Sequence, residues 1–113
     1  MAVYVVNLVI DQGVDFGQTL NLENSSTNAA FNLIGYTGAS QLRKHSSSSK
    51  SYAFTVNFPD RINGVVKLAM TDIQTKRIKP GRYIYDIILT NSDGIKERVV
   101  EGSVLVREGA TRE

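Results

Sequence analysis

The chain of 113 residues contains no cysteine. Disulfide staples and thiolate metal sites are therefore excluded, and stability must come from packing alone. That fits assembly in a reducing cytoplasm. A single histidine, His45, stands between Lys44 and a run of serines. A histidine base needs an orienting carboxylate and a held position, and a polar loop tip supplies neither. The carboxylates gather no better. Asp11, Asp15 and Glu23 come closest, but they are scattered over strand ends and lack calcium-loop spacing. No glycine-rich phosphate cradle precedes a helix. No apolar run approaches the ~20 residues needed to cross a bilayer. Met1-Ala2-Val3-Tyr4 carries no basic segment of a signal peptide. The expectation is a protein with no catalytic, cofactor-binding or metal-binding residues, and with no membrane partner.

Excess charge is also scarce, at +2. Two basic groupings come nearest to a polyanion site: Arg43-Lys44-His45 with Lys50, and Lys76-Arg77 with Lys79 and Arg82. Single-strand binding wants aromatics beside such charges. The aromatics here are expected on inward faces, so both groupings read as solubilising charge and nucleic acid is not an expected partner.

What the chain does have is alternation. Tyr83, Tyr85, Ile87 and Leu89 share one face of a β-prone run, and Val100, Val104 and Val106 share one face of the next. Turn formers Asn91-Ser92-Asp93-Gly94 separate them, which reads as an antiparallel hairpin. An even number of loop residues puts both apolar sets on the same side; an odd number would set Glu97 and Glu101 beside the tyrosines. Two residues, Asp93-Gly94, or four, Asn91 to Gly94, both satisfy this. The shorter loop places Asp86 opposite Glu101, a mild repulsion. Asp86 itself is either outward or paired with Arg43, Arg82 or Arg98, in a structural role.

Other segments follow suit. Tyr52, Phe54, Val56 and Phe58 alternate perfectly, as do Val66, Leu68 and Met70; Phe16, Leu20 and Leu22 point one way, with Gly17 as a candidate bulge. Phe31 to Tyr36 is a short apolar plug leading into a strand at residues 37–44 with small residues Gly38, Ala39 and Ser40. Thr71 to Ile78 is the one candidate helical turn, capped by Thr71 or Asp72, packed through Ile73 and Ile78, and stopped by Pro80-Gly81. Glu23 to Ala30, the serine tip at residues 45–51 and the charged residues 107–113 read as exposed loops and a fraying tail. The length suits one domain, residues 1–113, able to bury roughly two-thirds of its unfolded surface.

About seven strands at such spacing, with one short helical turn, point to an all-β fold: a two-layer antiparallel immunoglobulin-like β-sandwich. A small closed barrel is the alternative. Tyr4 to Ile10 is apolar apart from Asn7, as in a strand covered on both faces or paired with a neighbouring subunit.

The order of motifs adds a resemblance. Gln12-Gly13-x-Asp15-Phe16, Leu33-x-Gly35-Tyr36, Gln41-x-Arg43 and Gly64-x-x-x-Leu68 are followed by Thr71 to Thr75, Gly81-Arg82-Tyr83-x-Tyr85-Asp86, Glu101-Gly102-x-Val104-x-Val106 and Thr111-Arg112. This pattern resembles small virion structural proteins of tailed bacteriophages, especially contractile-tailed cyanophages. It is also similar to the immunoglobulin-like N-terminal domain of phage baseplate upper proteins. The resemblance implies a non-enzymatic assembly or adaptor module of the tail, baseplate, neck or capsid surface. Its partners would be other virion proteins or further copies of itself, and its place the virion, assembled in the host cytoplasm. Exposed sheet edges and loops would make the contacts. The residues singled out for partner binding are Val3, Tyr4, Val5, Val6, Leu8 and Tyr36. A carbohydrate- or host-surface-binding module is the alternative, and it would need several tyrosines facing solvent in one groove.

Overall fold

The computed structural model describes residues 4–23 and 29–111. Its strands are β1 (Tyr4–Val5), β2 (Leu8–Asp11), β3 (Phe16–Asn21), β4 (Thr37–Arg43), β5 (Tyr52–Asp60), β6 (Val65–Met70), β7 (Gly81–Thr90) and β8 (Lys96–Arg107), with one helix, α1 (Asp72–Lys76). The fold is all-β. Strands follow the order β1-β8-β7-β4-β5-β6-β3, with β2 also beside β8. Two layers arise because β5 changes partner along its length. Tyr52 to Phe54 pair with β4, and Thr55 onward pair with β6. The opposite seam stays open among the described residues, since β3 pairs only with β6. The molecule is thus a curled sandwich and not a closed barrel.

Two small residues make the crossing of β5 over β4 possible. Gly38 and Ser40 face inward on β4. A Cβ at position 38 would meet Val56 at 2.8 Å and Phe58 at 3.2 Å. Between the layers, Tyr85 and Ile87 of β7, Val100 and Val104 of β8, Leu42 of β4 and Leu68 of β6 are buried. Phe54 bridges them, 5.9 Å from the Tyr85 ring and 5.7 Å from Phe16. These alternating positions bury the apolar surface that drives folding.

The sheet is mixed, where the alternation suggested a purely antiparallel one. β1 and β2 run parallel to β8 in one continuous register, Tyr4 with Val100 and Leu8 with Val104. The ladder is interrupted only at Val6-Asn7, which makes eight strands of an expected seven. There the Asn7 side chain replaces main chain: its Oδ1 accepts from the Ser103 N–H and hydroxyl, each at 3.1 Å. The first strand parallel to the last, with a sheet-switching strand between, is the immunoglobulin-like arrangement. Tyr83 adds a tyrosine corner, its hydroxyl donating to the Lys79 carbonyl at 2.7 Å.

The hairpin corrects the parity argument. Asn91 N–H donates to the Ile95 carbonyl, leaving Ser92, Asp93 and Gly94 as an odd loop. A bulge between Ile87 and Ile88 supplies the compensating residue, Val99. Asp86 therefore still faces Glu101, and Val99 and Val100 are both buried.

Four smaller expectations change. Gly17 pairs regularly with Ala69 and makes no bulge. The strand expected at residues 37–44 is β4, which ends at Arg43. Ile73 is 62% exposed, and Thr75 takes the inward place on α1. Arg107 belongs to β8, not to a tail, and its Nε pairs with Asp11 Oδ1 at 2.8 Å. Thr71 caps α1 in a reciprocal box with Gln74. The buried Thr75 hydroxyl then donates to the Val14 carbonyl at 2.9 Å and accepts from Gly13 N–H at 3.1 Å. Asp15 Oδ1 accepts from Asp72 N–H at 2.7 Å. The turn between β2 and β3 is locked onto the helix in this way.

Candidate protein-docking face

Because side chains alternate across a strand, burying Tyr83, Tyr85, Ile87 and Leu89 turns Arg82, Ile84, Asp86 and Ile88 outward. Neighbouring strands extend these positions into rows. One row is Val5, Glu101, Asp86 and Gln41; the next is Ser103, Ile84 and Arg43; a third is Val9, Leu105 and Arg82. The outer face of the β1–β8–β7–β4 sheet thus carries an apolar centre with charges around it. Val5 is 72% exposed, Val9 49% and Ile84 44%. A groove of about 560 Å³ crosses it, lined by Val5, Arg43, Ile84, Asp86, Arg98 and Glu101 among others.

The charges are partly organised. Arg98 Nε donates to Asp86 Oδ2 at 3.1 Å, which offsets the repulsion between Asp86 and Glu101. Arg43 is drawn to the loop beyond β4, donating to the Ser48 carbonyl and, at 3.0 Å, to Gln41 Oε1. At the lower edge the Arg107 guanidinium holds the Asp11 carboxyl below the usual range through their hydrogen bond. Both ion pairs are solvent-exposed, so each adds little to stability and more to the pattern a partner meets.

The residues singled out from sequence fall into several environments. Val3 lies outside the described residues, as does most of the Glu23 to Ala30 loop. Val5 belongs to the outer face. Leu8 is 3% exposed and packs in this chain's own core, so it is not available to a partner. Val6 is half-buried; its N–H donates to the Glu101 carbonyl at 3.0 Å and its carbonyl accepts from the Tyr85 hydroxyl at 2.7 Å. Tyr4 is half-buried, its hydroxyl donating to the Glu23 carbonyl at 3.0 Å and tying β1 to Glu23. Tyr36 is half-buried, edge-on to Phe31 at 5.6 Å. Arg61 donates there to the Leu33 and Tyr36 carbonyls, at 3.0 and 2.6 Å. Tyr36 is not among the residues that line the groove beside Val5.

Ile84, Asp86 and Arg98 complete the face and were not assembled from sequence. An isoleucine at a solvent-side position between Arg82 and Asp86 was the available signal. Asp11, Asp15 and Glu23 serve an ion pair, a helix-end contact and the Tyr4 anchor respectively. His45 is exposed in the turn after β4. No helix among the described residues is long and apolar enough to cross a membrane.

No protein-family model and no curated protein matches the chain. Among solved structures it is similar to an internalin-like protein of Listeria monocytogenes, at 14% identity and a TM-score of 0.48, over 95% of this chain and 28% of that one. It is also similar to the N-terminal four Ig domains of a Dscam1 isoform, at 14% identity and a TM-score of 0.44, over 96% of this chain and 24% of that one. The chain thus spans less than a third of either protein.

Proposed function

We propose that this protein is a non-enzymatic assembly module of a tailed-phage virion, docking on other virion proteins through the outer face of its β1–β8–β7–β4 sheet. The observation that carries the docking role is the exposed Val5, Val9 and Ile84 on one sheet face, framed by Arg43, Glu101 and the Asp86–Arg98 pair. An apolar centre inside a charged rim is the layout of a protein interface. The free edge of β1 and β2 borders that face, since only their other edge is paired, with β8, among the described residues. A partner strand added there would gain main-chain hydrogen bonds. The virion assignment is supported by the order of sequence motifs from Gln12 to Arg112.

The test has two parts. Mass spectrometry of purified virions is expected to find the chain as a stoichiometric component; its absence rejects the virion role. Ile84→Glu is expected to abolish its cross-linking to virion partners while shifting stability by no more than about 0.5 kcal/mol, as for an exposed site. Unchanged cross-linking rejects the face.

A further inference from the structure

The two basic groupings that lie far apart in the sequence meet at one end of the sandwich. The connection after β4 delivers Lys44, Ser48 and Lys50, the segment after α1 delivers Lys79 and Pro80, and Tyr52 and Tyr83 complete a pocket of about 340 Å³. That size lies at the lower end of small-ligand sites, roughly 300–1,000 Å³. Lys44 Nζ stands 5.1 Å from the centroid of the Tyr83 ring, and Lys50 Nζ 5.4 Å from that of Tyr52. The two rings meet edge to face at 6.4 Å. Their hydroxyls are tied to main chain, Tyr83 to the Lys79 carbonyl at 2.7 Å and Tyr52 to the Arg77 carbonyl at 3.4 Å. The tyrosines are therefore a fixed floor that holds two ammonium groups by cation–π attraction.

Among the described residues, no carboxylate lines this pocket. The Asp86–Arg98 and Asp11–Arg107 salt bridges lie elsewhere. Lys44 and Lys50 bring two ammonium groups to a concavity that Lys79 also lines, and like charges gathered there repel each other until an anion enters. A hydrogen bond with the Tyr52 hydroxyl raises the Lys50 pKa, so its charge persists above the ordinary lysine range.

The residue types narrow the ligand. Lysines are point charges that accept phosphate or sulfate in many orientations, whereas planar carboxylates are the usual partners of arginine forks. Nucleic-acid bases need a free aromatic face on which to stack. Here ammonium groups stand over both rings, so no such platform is offered. We propose that Lys44, Lys50 and Lys79 bind an anionic ligand through its phosphoryl or sulfo groups, on the floor made by Tyr52 and Tyr83. Among the described residues the pocket shares no lining residue with the outer-face groove, so the two sites can succeed or fail separately.

The experiment is an NMR titration of the intact chain with pyrophosphate, with a sulfated oligosaccharide and with oligothymidylate. Saturable amide shifts at Lys44, Ser48, Lys50, Tyr52 and Tyr83 are expected with one or both of the first two probes. The tighter of those two identifies the source, a free anion or one carried on a polysaccharide. Lys44→Gln/Lys50→Gln is expected to weaken binding roughly fivefold, the strength of two exposed ion pairs. The charge-matched Lys67→Gln/Lys96→Gln, at exposed sites outside the pocket, is expected to leave it unchanged. No saturation with either anion, equal weakening by both double variants, or tighter binding of oligothymidylate than of both anions overturns the proposal.

Discussion

Tyr85 shows how a single side chain fixes the start of the chain. Its ring is 4% exposed, and its hydroxyl donates to the Val6 carbonyl 79 positions earlier. Opposite it in the ladder, Gly102 leaves room for that carbonyl: a Cβ there would sit 2.1 Å from Val6 O. The inward direction of Tyr85 was legible from alternation. Its partner was not, because a backbone carbonyl so distant in sequence leaves no side-chain signature. Burial pushes the Tyr85 phenol from 10.0 up to about 12. The folded protein thus keeps a proton that the unfolded chain releases near pH 10. Stability from this group is complete below pH 10 and falls as the pH rises toward about 12. Tyr85→Phe is expected to cost about 1 kcal/mol at pH 7, the net worth of the lost hydrogen bond. It should also flatten the loss of stability between pH 10 and pH 12, measured by urea midpoints across that range. An equally steep alkaline loss in the variant would assign the titration to another group.

At the scale of elements, the β7–β8 hairpin was legible in existence, direction and face, but not in how its parity is achieved. The pattern required both apolar sets on one side, and they are there. An odd loop meets that requirement because Val99 is extruded as a bulge and buried beside Val100. Adjacent valines in Arg98-Val99-Val100-Glu101 were the trace of it, since a regular strand would turn one of them outward. Deleting Val99 offers a clean test, because Thr90–Lys96 and Ile87–Val100 can both keep their pairing once the extra residue is gone. The deletion is expected to fold with the same cross-strand contacts by NMR, at a cost of about 2 kcal/mol for one buried valine. A change of register beyond Ile87, with Glu101 turned inward, would show that the bulge sets the pairing and does not merely accommodate it. The helix was legible through Thr71, whereas its inward residue was misread. Ile73 looked like the packing position, but a single turn over a polar loop has more use for the Thr75 hydroxyl, which satisfies Gly13 and Val14 at once.

At the scale of the whole molecule, the N-terminal run has two roles that its continuous hydrophobicity blended together. Leu8 and Ile10 are 3% and 0% exposed and cover β8 from within, whereas Val5 and Val9 face solvent beside Ile84. Hydrophobicity alone does not distinguish a core side chain from a solvent-facing one; only the register against β8 separates them. Removing residues 1–10 would therefore strip the core together with the proposed docking face. Fully burying each of two such side chains contributes about 1.5–3 kcal/mol, a large share of the 5–15 kcal/mol that holds a typical domain. The truncated chain is expected to lose cooperative unfolding, so its failure to associate would say nothing about docking. Val5→Glu/Val9→Glu separates the roles, since both side chains already point away from the core and the main-chain ladder to β8 is untouched. Its urea midpoint is expected to stay near that of the parent, within the range usual for surface changes, while association with virion partners, read by light scattering or cross-linking, is lost. If the double variant associates as the parent does, the exposed valines are not the contact, and the free edge of β1 and β2 becomes the element by which this sandwich would join its neighbours.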